Sequence, residues 1–581
     1  MASSTIAVTN FTAGEVSPRF DGRVDMDKYF NACSTLENMT VFPLGGAEKR
    51  PGFEFINEVK DSTKATRLIP FEFSVEQAYV LEFGETYVRI YLNGEILESG
   101  GSPVELTTPY LESELFDIQF TQSADILFVV HPNHAPAEIS RTGATTWTYA
   151  ATSFTNPPSV WTGTNYPSTV TFFQQRLCYA GTPNEPQTIW MSKTADFRVF
   201  TAGTDADSPI TITLDSDQVN AIRWMVSGRL LSVGTAGGEW TVGGTNVGQS
   251  ITPDNIQAQR QSTLGSTNVL AILVSSAIIY IERGGRKVRE FAYLFDQDGY
   301  QSPDMTLLAE HLGRDGMFIE IAYAKRPDSI FWMIRDDGVL VGMTYQREEG
   351  VVAMHRHTTE GIFESVATIP GASDSEVWVI VKRNIDGSDV RYIERLAPRF
   401  ESTTTNTTSC TFLDSFKVVD EVSPTDTFSG FDHLIGESVS VLADGATHPD
   451  VTVNGSGEIV LDLEASILCA GFMYDSIVSP MRLEGGSPGG ISQTKKSRIS
   501  RVAIRFYKTL GAEFGGRLDK LDRIPFRDSS DPMDEAPALF TGTKDVLFPQ
   551  GWNRDRFVYV KQSQPLPLTV LMMVSYVTVN R

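Results

Sequence analysis

The residues able to do chemistry are few and scattered. Seven histidines occur in 581 residues, and two pairs lie close together, His131-Pro-Asn-His134 and His355-Arg-His357. Alternate residues of a strand share a face, so His355 and His357 have the spacing to ligate one metal ion. A third ligand is not evident nearby, and the pairs read as surface or packing histidines. Asp296 and Asp298, in Phe295-Asp-Gln-Asp-Gly299, resemble half of a calcium loop. The glutamate that closes such a loop is absent. Asp215 and Asp217 flank a serine and read as chance neighbours. No G-x-S-x-G elbow, H-E-x-x-H pair or P-loop occurs, and Gly234-Thr-Ala-Gly-Gly238 reads as a tight turn before Glu239-Trp-Thr-Val242. No catalytic residue, cofactor or metal is expected, and the chain reads as a non-enzyme.

One cationic cluster stands out: Lys495, Lys496, Arg498, Arg501, Arg505 and Lys508. In a strand, Arg501 and Arg505 share a face with Ala503 between them. A nucleic-acid groove interleaves cations with aromatic rings, and only Phe506 and Tyr507 are close. The cluster therefore reads as a subunit contact that pairs with a neighbour's acids.

The elements that must position these residues are strands. Tyr79-Val-Leu-Glu-Phe83, Thr86-Tyr-Val-Arg-Ile-Tyr91 and Val377-Trp-Val-Ile-Val381 are short and apolar or alternating, bounded by turn residues. Asn93-Gly94, Asp337-Gly338, Asp386-Gly387, Asp444-Gly445 and Asn454-Gly455 are hairpin signals. Strand starts recur at Tyr79, Ile126, Leu177, Leu230, Ile278, Ile330 and Val377, separated by 47, 51, 53, 48, 52 and 47 residues. A period near 50 with several strands per unit is the spacing of propeller blades. The fold expected is all-β, with a β-propeller body of about seven units; six or eight also fit.

Residues 1–66 read as an N-terminal arm and platform segment, and 67–399 as the repeat body. A small β-barrel or sandwich domain is expected over 400–484, after the polar tract at 400–409. Residues 485–492 (GGSPGGIS) read as a flexible loop. The remainder, 485–581, reads as strands returning to the body or platform. The apolar ending Leu568–Val579 is expected to pair into an earlier sheet or a neighbouring subunit.

Lys plus Arg number 48 and Asp plus Glu 72, so the net charge is 48 − 72 = −24. That excludes a general nucleic-acid gripper. With 41% hydrophobic residues the chain can bury a sizeable core. Cys33, Cys178, Cys410 and Cys469 form no CxxC pair and read as free buried thiols. The beginning lacks a basic n-region and a long apolar segment, so no signal peptide is expected. The longest apolar run, Val269 to Ile281, is too short for a membrane helix. Synthesis in a cytoplasm is expected.

The N-terminal region carries a run of short motifs. These are Asn10-Phe-Thr-Ala-Gly-Glu-Val-Ser-Pro18, Gly22-Arg-Val-Asp25, Leu36-Glu-Asn38, Pro43-Leu-Gly-Gly46 and Arg50-Pro-Gly-Phe53. Arg67-Leu-Ile-Pro-Phe-Glu-Phe73, Phe172-Phe-Gln-Gln-Arg-Leu177, Ile189-Trp-Met-Ser192 and Leu434-Ile-Gly-Glu437 follow in order. The run resembles the tail nozzle family of short-tailed bacteriophages, also called tail tubular protein B or stabilization proteins. The resemblance implies a ring of six copies in the virion tail, attached beneath the head–tail adaptor ring and assembled in the host cytoplasm. It implies tail fibres or spikes bound outside, the host outer surface at the distal end, and phage DNA passing through the lumen without sequence-specific binding. On this reading Gly14, Glu15, Pro18, Arg23 and Arg50, with Lys495, Lys496, Arg498, Arg501 and Arg505, are the expected contact residues. The extended N-terminal segment is expected to lie on a partner rather than to build a core. A receptor-binding or glycan-degrading propeller module of the tail is the alternative reading.

Overall fold

The computed structural model describes all residues except 1, 75, 247, 402–406, 485–494, 528–531, 533–535 and 581. The glycine-rich loop at 485–492 and most of the polar tract at 400–409 lie outside the described residues. Strands dominate, and the one α-helix among the described residues is the short turn Glu310–Arg314. No helix there is long and apolar enough to cross a membrane.

The body is a closed ring of seven blades. Blades 1 to 6 span 67–96, 119–151, 169–213, 222–260, 272–301 and 318–357, each with four antiparallel strands joined by hairpins. Blade 7 takes three strands from 362–396, and its fourth is the distant strand Phe53–Glu58, antiparallel to Ser388–Leu396. All seven sequence anchors fall on or at the start of the second strand of a blade. The apolar run at 269–281 is the first hairpin of blade 5, turning at Ser275, whose φ is +55°. Of the five expected turns, Asn93-Gly94, Asp386-Gly387 and Asp444-Gly445 have φ > 0 at both residues. Asp337-Gly338 uses the glycine alone, and the turn at Asn454 puts its positive φ on Gly457.

Each blade is too thin to enclose its own side chains, so the cores lie between blades. Seven apolar clusters occupy the seven blade junctions, including the closing one between blades 7 and 1, where Trp378 and Ile380 meet Leu68, Val80 and Tyr91. Aromatic rings lock two junctions edge to face, a geometry that adds to area burial. Trp147 stands 4.8 Å from Phe71 and 5.0 Å from Tyr79, and Trp161 stands 5.2 Å from Tyr179.

A platform lies beside the ring, woven from both ends of the described chain. In one sheet the strand Thr569–Val579 is central, with Ala2–Val8 on one side and Ser497–Thr509 on the other. A second sheet continues from the outer strand of blade 6 through Gly14–Glu15, Ala32–Glu37, Ser476–Pro480, Tyr559–Gln562 and Glu513–Arg517. Their facing sides share one core, including Phe11, Leu36, Val478, Ile504, Phe506, Val560 and Met573. The expectation that the first residues form an arm lying on a partner is therefore corrected. Phe11, Val16, Leu36 and Met39 are buried within the chain itself. Their partners lie hundreds of residues away, and glycine- and proline-rich texture only made the segment look extended.

The small β domain occupies 414–472. Its four strands continue the sheet of blade 7 through a parallel bridge between Phe416 and Glu54. Bulges interrupt the long strand Asp414–Phe428, and bulges bend a strand. Phe428, Phe431, Val441, Ile459 and Leu468 form its core, packed on Tyr392 of blade 7.

Candidate functional site

The cationic cluster lies on the platform. In Ser497–Thr509 the residues Ile499, Val502, Ile504 and Phe506 face the core, while Arg498, Arg501, Arg505 and Tyr507 are exposed. Lys496 is exposed at the start of this strand and Lys495 is half-buried. The cross-strand neighbours of Arg501 are Leu547 and Tyr576, both exposed. Arg501 also forms a forked ion pair with Asp545, and Arg505 donates to Thr543 Oγ1 at 3.3 Å. Phe506 points inward, so the outward rings are Tyr507 and Tyr576. Arginine and tyrosine on a rigid sheet are the residues enriched at the cores of protein interfaces.

The motif residues near the N-terminus divide. Gly14 (φ +66°) brings its backbone against blade 6: a Cβ there would stand 2.3 Å from the Met354 amide nitrogen. Glu15 is buried, accepting from the Leu36 amide at 2.7 Å and meeting His311 Nε2 at 2.9 Å. Arg50 is fully buried. Its guanidinium makes two 2.7 Å bonds to Asp414, donates to Asn38 Oδ1 and to the Thr358 carbonyl, and stacks 3.8 Å from the Tyr474 ring. Gly14, Glu15 and Arg50 are therefore not surface contacts, and that expectation is corrected: they join distant segments of one chain. Pro18 opens a short 3-10 turn capped by Ser17. Arg23 is exposed and paired with Asp25.

The small domain carries the opposite charge. Residues 414–472 hold eleven acids and one lysine, a net of −10, whereas 495–508 hold six cations and no acid. Asp420, Glu421, Asp426, Asp450, Asp462 and Glu464 are all exposed. Nothing in the local sequence of either segment announces that they form a pair of opposite surfaces. The signal is the contrast between them.

The histidine pairs also divide. His355 and His357 are fully buried in blade 6, ring nitrogens 2.6 Å apart, and burial pushes His355 down to about 3. Among the described residues the one group of three possible metal ligands is Glu114, His131 and His134. Sequence reading missed Glu114, which comes from a 3-10 segment outside the strand pattern. Burial raises its carboxyl, but bonds from Asn133, the Leu111 amide and His134 prevail and hold it at about 2.

Two cavities lie within the ring and at its edge. An axial cavity of 530 Å³ is lined by the first strand of every blade, among them Leu68, Phe120, Val170, Met225, Ile272, Ala322 and Val366. Beside it the buried pair Arg67–Glu320 (2.7 Å) ties blade 1 to blade 6. This volume suits a small molecule, not a duplex. A second cavity of 260 Å³ lies where blades 6 and 7 meet the platform, lined by Glu48, Asp328, Trp332 and Arg399. Arg399 bridges Glu48 and Asp328 at 2.9 Å each. Burial lifts the Glu48 carboxyl to about 7 against the pull of Arg399.

The four cysteines are free and buried, as expected. No protein-family model matches the chain, and no curated protein matches it. Among solved structures it is similar to the β-propeller domain of Cps50 (Swd1) from Myceliophteria thermophila, at 9% identity and a TM-score of 0.36, covering 60% of this chain and 100% of that one. It is also similar to the RRP9 WD40 repeats, at 9% identity and 0.38, with the same coverage. A luciferin-regenerating enzyme matches at 10% identity and 0.30, covering 60% of this chain and 96% of that one. At these scores the likenesses carry no argument. The propeller is read from its own seven sheets and seven junctions.

Proposed function

We propose that this protein is a ring-forming wall of a DNA conduit, the tail nozzle its motif run resembles: six copies below the adaptor ring of a short-tailed phage, holding fibres or spikes outside and reaching the host surface at the distal end. The observation that carries the reading is the segregation of charge between two exposed surfaces, the acidic face of the small domain with Asp420, Glu421, Asp426, Asp450, Asp462 and Glu464, and the cationic, tyrosine-bearing platform strand. Two different, complementary patches on one chain suit a head-to-tail contact, which builds a ring where the rotation between copies closes. The propeller axis supports the same reading: its 530 Å³ cavity is too small for a duplex, so DNA would travel between copies. An acidic wall suits that path. Duplex DNA carries a negative charge every ~1.7 Å of axis and is repelled by a lining rich in carboxylates.

Imaging of the virion tail tests the position: the chain is expected as an axial six-fold tube, and an off-axis position overturns the proposal. Charge reversal tests the contact. Arg501→Glu with Arg505→Glu is expected to abolish ring assembly on the adaptor, seen by light scattering. Adding Asp420→Lys and Glu421→Lys is expected to restore it. Rings that survive the first pair of substitutions remove the contact from the reading.

A further inference from the structure

We propose that Glu114, His131 and His134 form a zinc site that clamps the linker between blades 1 and 2 onto the hairpin of blade 2. One donor atom from each residue lies within 4.8 Å of the other two. The convergence follows from local structure. His131 ends one strand, Pro132-Asn133 makes the turn, and His134 begins the next strand as the direct antiparallel partner of His131. Opposed cross-strand residues share a sheet face, and the two ring centroids stand 5.3 Å apart. Glu114 belongs to the 3-10 turn Glu112–Asp117, which the Leu111 amide anchors by donating to Glu114 Oε2 at 3.0 Å.

From there the carboxylate points at the hairpin. Oε1 accepts from Asn133 Nδ2 at 3.0 Å, and Oε2 meets His134 Nε2 at 2.8 Å. Tyr110 packs edge-on to both imidazoles, at 6.2 and 5.2 Å, and walls one side. Two imidazoles and a carboxylate, with a fourth position left to water, are a zinc ligand set. Zinc bonds of ~2.0–2.2 Å hold ligand atoms roughly 3.3 Å apart. The His134–Glu114 contact therefore opens slightly as His131 draws in. At His134, where the ring proton sits on Nδ1 and the ligand is a neutral imidazole, the metal takes the Nε2 position facing Glu114. At His131 it replaces the long 3.2 Å bond that Nδ1 accepts from the Asn133 amide.

The test uses the full chain, dialysed against chelator, then titrated with Zn²⁺ by calorimetry and with Co²⁺ by visible absorption. One equivalent is expected, with the intense band of tetrahedral cobalt. His134→Gln and Glu114→Gln are each expected to weaken uptake at least tenfold. His448→Asn, which removes a separate histidine–carboxylate contact with Asp462, is expected to leave it unchanged. Zinc is expected to raise the melting temperature of the wild type more than that of either ligand variant at the same concentration, by mass action on the folded state. No uptake at millimolar zinc, or a full equivalent retained in both ligand variants, overturns the site.

Discussion

At the scale of single residues, Arg50 and Glu48 show how far burial decides a role. Arg50 stands among the contact residues expected from the resemblance, as part of the motif Arg50-Pro-Gly-Phe53. Its guanidinium is instead fully paired inside the chain, linking residues 38, 358, 414 and 474. Removing one partner of a buried pair leaves an uncompensated charge, at a cost of ~3–5 kcal/mol. Arg50→Met is expected to lower the denaturation midpoint accordingly, and adding Asp414→Leu is expected to recover much of the loss. A chemical-denaturation double-mutant cycle measures both. Glu48 makes a pH prediction. Its folded pKa of about 7 lies above its ordinary value of 4.5, so the folded state holds a proton that the unfolded chain releases. The resulting penalty is absent below pH 4.5, grows as pH rises to 7, and is constant above. Glu48→Gln removes it, so the variant is expected to gain stability over the wild type between pH 5 and pH 8, read from melting curves at both. An unchanged difference rules out the buried carboxyl as the source.

At the scale of elements, Gly14–Glu15 is seated closely between blade 6 and the strand Ala32–Glu37. Gly14→Ala meets both a positive φ and the Met354 backbone. The left-handed backbone alone costs roughly 1–2 kcal/mol, and the clash adds to it. A fall of at least that size in unfolding free energy is expected, whereas Gly22→Ala, where a Cβ meets nothing, is expected to be neutral. The same strands show what sequence could and could not reveal. Hairpins are local, so the period near 50 was legible and its anchors mark the second strands of all seven blades. The fourth strand of blade 7 was not legible, because Phe53–Glu58 finds its partner more than 300 residues later. The cationic strand was visible as charge, and its outward face could be read from alternation. Tyr576 and Leu547 beside Arg501 could not, since strand register across such separations leaves no local trace.

At the scale of the whole molecule, the ring, the platform and the small domain share sheets. The small domain extends blade 7 and the platform extends blade 6. A load on the platform therefore passes into the ring through hydrogen-bonded strands, with no flexible linker between. The pairing of Ala2–Val8 with Thr569–Val579 also sets a clock. Val8 pairs with Met573, 565 residues further along. A ribosome adding ~5–20 residues per second needs about half a minute to two minutes to cover that distance. The strands of all seven blades lie at or before Leu396, while the platform sheet needs Thr569–Val579 at the far end. A chain that stops short of the far strand thus holds every strand of the seven blades and lacks the strand on which Ala2–Val8 and Ser497–Thr509 both pair.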